Sequence, residues 1–159
     1  MNYTEFEILE FIPHNTNDKS SFYAVKLSNK KLTEAEEFFK RFEESEQKKI
    51  NILVSNILNM TKRGIRDEYF KIKESKIDDN ICCLSIEDLR LYCLKYGNVA
   101  VILGGGGYKN VRAYQDSAEL LGQVELLQNV CRLIDERVKE KEIIITDNSI
   151  EGNLIFKKP

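Results

Sequence analysis

A set of cations and phenols crowds one stretch of the chain: Arg90, Tyr92, Lys95, Tyr96, Tyr108, Lys109, Arg112 and Tyr114. They fall on or beside two β-prone runs, L-R-L-Y-C-L-K-Y and V-A-V-I-L, that meet at Gly97-Asn98. Lysine and arginine bind a phosphate backbone, and tyrosine stacks on an unpaired base. The same positive groups stabilise the charge that builds on a scissile phosphate when a neighbouring 2′-hydroxyl attacks it. Cleavage of that kind needs neither metal nor cofactor, and none is expected. These residue types also border the core of an ordinary sheet, stems packed and polar ends in water, so residue type alone leaves both readings open.

The run Gly104 to Gly107, followed by Tyr108 and Lys109, invites comparison with a phosphate-binding loop. Such a loop needs G-x-x-x-x-G-K-[ST] opening directly into a helix, whereas Lys109 is followed by Asn110 and the next helical pattern starts several residues later. The glycines instead predict a sharp bend, a bulge, or the close approach of another backbone. No G-x-S-x-G elbow or H-E-x-x-H motif occurs, and the carboxylates lie on helix faces and loops where solvation accounts for them. His14 is the single histidine, beside Pro13 in a polar segment, and reads as a solvated loop residue. The four cysteines, Cys82, Cys83, Cys93 and Cys131, form no metal-binding spacing. They read as reduced thiols packed as small hydrophobes, with the adjacent Cys82 and Cys83 on opposite faces of a strand.

The elements that must position these groups fit one domain over all 159 residues. No apolar run approaches a membrane span, the N-terminus lacks a secretory pattern, and a cytoplasmic location without membrane partners is expected. The net charge of −2 exerts no overall pull on nucleic acid. Its distribution is uneven: residues 61–115 carry a local excess of about three positive charges, to which Lys71 and Lys73 contribute.

Residues 5–12 and 21–27 predict a β-hairpin with a long polar loop. Thr33 and Glu36 form a capping box for a helix over 34–43 that carries Phe38, Phe39 and Phe42. A second helix over 46–62 ends at Gly64, antiparallel to the first. Residues 66–72 read as a possible strand start, 73–80 as a polar loop and 81–84 as a short β run. In the central hairpin Leu89, Leu91, Cys93 and Leu94 give an apolar face with Arg90, Tyr92 and Lys95 largely opposite, and residues 99–103 suit a strand covered on both sides. Asp116 and Glu119 suggest a capping box for the longest helix, 117–141. Residues 142–146 and 154–156 predict a C-terminal hairpin. The fold class is α+β: a curved antiparallel sheet against a helical pair and a long helix, with additional hairpins at both ends.

Residues 81–130 resemble the C-terminal half of HigB-like toxins of the RelE/ParE superfamily. The resemblance rests on the run L-R-L-Y-C-L-K-Y-G-N-V-A-V-I-L-G-G-G-G-Y-K-N-V-R-A-Y-Q-D. In that superfamily an L/Y-R-L/I-Y strand turns through G-N or D-G into an apolar strand, a lysine-bearing loop and a helix. The predicted helical pair fits as well, since the superfamily packs two helices against a curved antiparallel sheet. The resemblance implies the toxin of a toxin and antitoxin pair, an mRNA endoribonuclease acting on the ribosome without a metal. Its partner would be a cognate antitoxin of helix-turn-helix type. Carried over by position, Arg90 and Lys109 would contact the phosphate or the transition state, supported by Arg112 and Tyr108. Lys95, Tyr92, Tyr114, Lys71 and Lys73 would bind RNA. The alternative is a non-enzymatic domain that holds a protein or nucleic-acid partner along the central sheet edge.

Overall fold

A computed structural model describes residues 5–71 and 80–157. The described residues form an α+β domain: a seven-stranded sheet, a small two-stranded sheet and three α-helices. The strands are β1 (Phe6–Glu10), β2 (Ser21–Leu27), β3 (Phe70–Lys71), β4 (Ile81–Ile86), β5 (Leu89–Tyr96), β6 (Ala100–Tyr108), β7 (Ile143–Ile145), β8 (Ile150–Gly152) and β9 (Ile155–Phe156). The helices are α1 (Glu34–Phe42), α2 (Gln47–Arg63) and α3 (Ala118–Lys139). Strand order in the large sheet is β3-β4-β5-β6-β2-β1-β9.

The α1 capping box forms as predicted, with the Glu36 N–H donating to Thr33 Oγ1 at 3.1 Å and the Thr33 N–H donating to Glu36 Oε1 at 2.9 Å. Gly64 ends α2 at φ 112°, its N–H returning to the Met60 carbonyl. At α3 the cap is Ser117 rather than Asp116: its hydroxyl accepts the Leu120 N–H, while residues 114–116 form a 3-10 turn.

The sheet is sandwiched. Phe22, Ala24, Cys82, Leu84, Leu89, Leu91, Cys93, Val101 and Leu103 face α1 and α2. Tyr23, Val25, Cys83, Tyr92, Leu94, Tyr96 and Ile102 face α3. Cys82 and Cys83 therefore point to opposite faces, as expected. The central strand differs from its expected amphipathic pattern. Leu94 sits with Tyr92 on the α3 side, and β5 is buried on both faces because a helix layer covers each.

Three further expectations are corrected. The sheet is not wholly antiparallel, since β2 runs parallel to β6 over Ser21↔Ala100 to Ala24↔Leu103. The C-terminal hairpin pairs β7 with β8, whereas β9 joins the edge of β1. Burial decides this: Phe156 stacks on Phe6 with centroids 4.5 Å apart, and Arg137 caps the Phe156 ring while donating to the Asn153 and Ile155 carbonyls. Of residues 66–71, the described part of the expected 66–72 segment, Asp67–Tyr69 form a 3-10 turn and Phe70–Lys71 pair with β4. The predicted loop 73–80, apart from Asn80, lies outside the described residues.

Candidate functional site

The parallel junction organises the neighbourhood of the glycine run. Beyond Ala24 and Leu103 the paired strands separate, β2 staying with β1 while β6 stays with β5. After β2 the chain passes to α1 on one face, and after β6 to α3 on the other. A crevice opens where adjacent parallel strands send their helices to opposite sides. Here it is a small cleft of about 110 Å³ lined by Glu34, Phe38, Arg41, Gly105, Glu119 and Gln123.

The glycines let α3 and the neighbouring strand close in. Leu91 opposes Gly106 and Cys93 opposes Leu103, so Tyr92 faces both Gly104 and Gly105 across a β-bulge. A Cβ on Gly104, Gly105 or Gly107 would meet Leu127, Gln123 or Glu119, successive positions along one side of α3. At Gly106 it would meet the Arg90 backbone. Gln123 replaces the missing strand neighbour: the Gly105 N–H donates to Gln123 Oε1 at 2.8 Å, and Gln123 Nε2 donates to Glu34 Oε1 at 3.1 Å. Glu34 is buried and also receives Lys30 at 3.1 Å. Arg41 pairs with Glu119 across the same opening.

Arg90 and Lys109 come to one end of the β5–β6 pair. Arg90 is opposite Gly107, and the Lys109 N–H donates to the Asp88 carbonyl at 2.7 Å. Arg112 lies exposed in the loop that follows. Arg90 itself is buried, 6% exposed, and its Nη1 donates to the Glu87 carbonyl at 2.5 Å and to that of Leu89 at 3.3 Å. Glu87 holds a positive φ of 54° in the β4–β5 turn, so the guanidinium braces a left-handed residue. Lys49 of α2 grips the same turn from outside, 3.3 Å from Glu87 and 3.0 Å from Asp88, and also meets Glu46 at 2.9 Å. The Glu46 hydrogen bond, ahead of that to Asp88, raises the Lys49 ammonium pKa and keeps it charged.

The other sequence-expected residues disperse. Tyr108 lies on the face opposite Arg90, edge-on to Phe42 with centroids 5.2 Å apart; burial, then a hydrogen bond to Glu46, raises its phenol pKa. Tyr92 and Tyr114 pack edge to face inside the α3-side core, 1% and 4% exposed. Lys95 is at the far end of β5, paired with Asp67 at 3.0 Å and with its ammonium 5.8 Å from the Phe70 ring. Lys71 is exposed on β3, two strands from β5, and Lys73 lies outside the described residues. Gln123, Glu34 and Lys49 were not singled out from sequence. Each sits in an ordinary helical pattern, and only the topology reveals what it meets.

His14 departs from its expected solvated state. Its Nδ1 lies 2.7 Å from Ser21 Oγ, and the Ser21 hydroxyl donates to the Asn148 carbonyl. A carbonyl only accepts, so the serine proton is committed there and His14 Nδ1 is the donor to Ser21. That polarity is the reverse of a base activating a nucleophile. Among the described residues no group of three or more His, Cys, Asp or Glu side chains is placed to hold a metal, and no helix is long and apolar enough to cross a membrane. Comparison with protein families, with curated proteins and with solved structures finds no match to this chain.

Proposed function

We propose that the chain is the toxin of a toxin and antitoxin pair, a metal-independent endoribonuclease that inhibits translation by cutting mRNA, with the ribosome as its site of action. One observation carries the reading: Arg90 and Lys109 occupy the same end of adjacent strands, next to the loop bearing Arg112. In this reading the substrate's own 2′-hydroxyl attacks the adjacent phosphorus in line, leaving a cyclic phosphate and a free 5′-hydroxyl. Lys109 and Arg112 hold the phosphate, and the cations offset the charge that grows on its oxygens. The resemblance of residues 81–130 to HigB-like toxins supports the reading, as do two helices packed on the sheet ahead of them. Tyr108 acts here as a scaffold beneath Phe42 rather than at the phosphate. The antitoxin, a helix-turn-helix protein, would be the restraining partner.

Inducible expression in bacteria tests this directly. Wild-type protein should arrest growth and cleave mRNA, with cleavage in lysate persisting in excess EDTA, while Lys109→Ala restores growth and remains folded. Normal growth on wild-type expression defeats the proposal. A second reading, a non-enzymatic domain that holds a partner along the sheet, draws on the burial of Arg90 and its engagement with the Glu87 carbonyl. It requires unchanged RNA in the same assay.

A further inference from the structure

Cys82 and Cys93 are directly opposed on the antiparallel strands β4 and β5, and their sulfurs lie 3.6 Å apart. Both face α1 and α2, apart from Cys83, which points to the α3 side, and from Cys131 on α3. We propose that this pair is an oxidation site, forming a reversible cross-strand disulfide on reaction with a small disulfide such as oxidised glutathione.

The geometry demands little movement and leaves some strain. A disulfide requires sulfurs about 2.05 Å apart and Cβ atoms about 3.8 Å apart, whereas opposed strand residues hold their Cβ atoms at about 4.5–5.5 Å. Closing the bond draws the strands together, and strain of that kind makes a disulfide easier to reduce again. The bulge in β6 borders Cys93 and gives β5 a neighbour that is already out of register. Cys82 is 3% exposed and Cys93 fully buried, so the reagent reaches Cys82 first, through local opening of β4. Burial, and then the hydrogen bond with Cys82, pushes the Cys93 thiol well up, which keeps Cys93 protonated and leaves the first attack to Cys82; Cys93 follows only because its sulfur already lies beside that of Cys82.

The steps balance. The Cys82 thiolate attacks one sulfur of glutathione disulfide, forming a mixed disulfide and expelling one glutathione thiolate. Cys93 loses its proton to that thiolate and attacks Cys82 Sγ, expelling the second glutathione. Two electrons pass from the cysteine pair to the small disulfide, which leaves as two thiols once the second glutathione thiolate takes up from solvent the proton that Cys82 had released. The product ties β4 to β5 three residues beyond Arg90, and so fixes the hairpin that ends in the Glu87 turn.

The test incubates the full chain with oxidised glutathione in a urea concentration below the unfolding transition, followed by intact mass and peptide mapping. The expected product is lighter by two hydrogens, carries a Cys82–Cys93 linked peptide and returns to the starting mass with dithiothreitol. In Cys93→Ala the mixed disulfide at Cys82 should persist, and Cys83→Ala/Cys131→Ala should still lose two hydrogens. A bond through Cys83 or Cys131, stable glutathione adducts on the wild-type pair, or an unchanged mass would each overturn the proposal. Peptide mapping of the wild type decides the matter even where a variant fails to fold.

Discussion

A Cβ placed on Gly106 would stand 1.8 Å from the carbonyl oxygen of Arg90. No side-chain rotation relieves a contact between two backbones, so Gly106→Ala must push β6 from β5. The expected cost is about 3 kcal/mol or more, read as a lowered urea midpoint. Gly122 is the internal control: it lies in α3 with nothing within 4 Å of the added Cβ. Gly122→Ala should stabilise by about 0.5–1 kcal/mol. Equal shifts from both substitutions would contradict the close approach.

Gln123 closes the opening between the parted strands. Gln123→Leu leaves the Gly105 N–H without its acceptor and removes one donor from buried Glu34. A loss of about 1–3 kcal/mol is expected, together with faster hydrogen exchange at Gly105. Unchanged exchange there would show that the Gly105 amide does not depend on Gln123.

Part of the acid sensitivity should come from Asp18. The Lys62 ammonium, 2.8 Å from Asp18 Oδ1, lowers the carboxyl's pKa against the opposing effect of burial. Because the folded pKa lies below the unfolded one, the unfolded chain takes up the proton more readily. The contribution is therefore complete above the ordinary carboxylate pKa of about 3.9 and is lost as pH falls through the lower, folded value. Asp18→Asn should lower the urea midpoint at neutral pH and flatten its fall toward about pH 3. A parallel curve displaced at every pH would mean that Asp18 acts by shape instead.

Arg90 and Lys109 should separate stability from activity. Arg90→Lys cannot reproduce a guanidinium donating to two carbonyls at the Glu87 turn and should destabilise by about 1–3 kcal/mol. Lys109 keeps its backbone N–H bond to Asp88 when the side chain is removed, and Lys109→Ala should destabilise less than Arg90→Lys while abolishing growth arrest. If growth arrest survives Lys109→Ala at wild-type expression, that lysine has no part in the chemistry.

Much of the fold was legible because it rests on local signals. Thr33 with Glu36, the stop at Gly64 and the Gly97-Asn98 turn each act within a few residues, and the structure places them where the sequence puts them. Long-range choices were not legible. Nothing within 21–27 says that this strand lies parallel to β6, and Phe156 finds Phe6 across the whole chain. The same limit governed the candidate site. Strand alternation put Arg90 and Tyr92 on an outward face, a rule that fails where helices cover both sides of a strand. The glycine run announced a bulge or a close approach and delivers both, but its partners on α3 and the burial of Glu34 depend on topology.

The parallel contact between β2 and β6 has a consequence for how the protein is made. Antiparallel β4, β5 and β6 are joined by tight turns and can pair as soon as they are synthesised, whereas β2 must wait for a strand that follows both α1 and α2. Pairings so distant in sequence are slow to form. During synthesis the apolar Phe22 and Ala24 lie on an unmatched edge until β6 has left the ribosome. The β1–β2 hairpin therefore keeps an open β2 edge in the nascent chain until the glycine-ended strand arrives, and an open β1 edge until β9 follows.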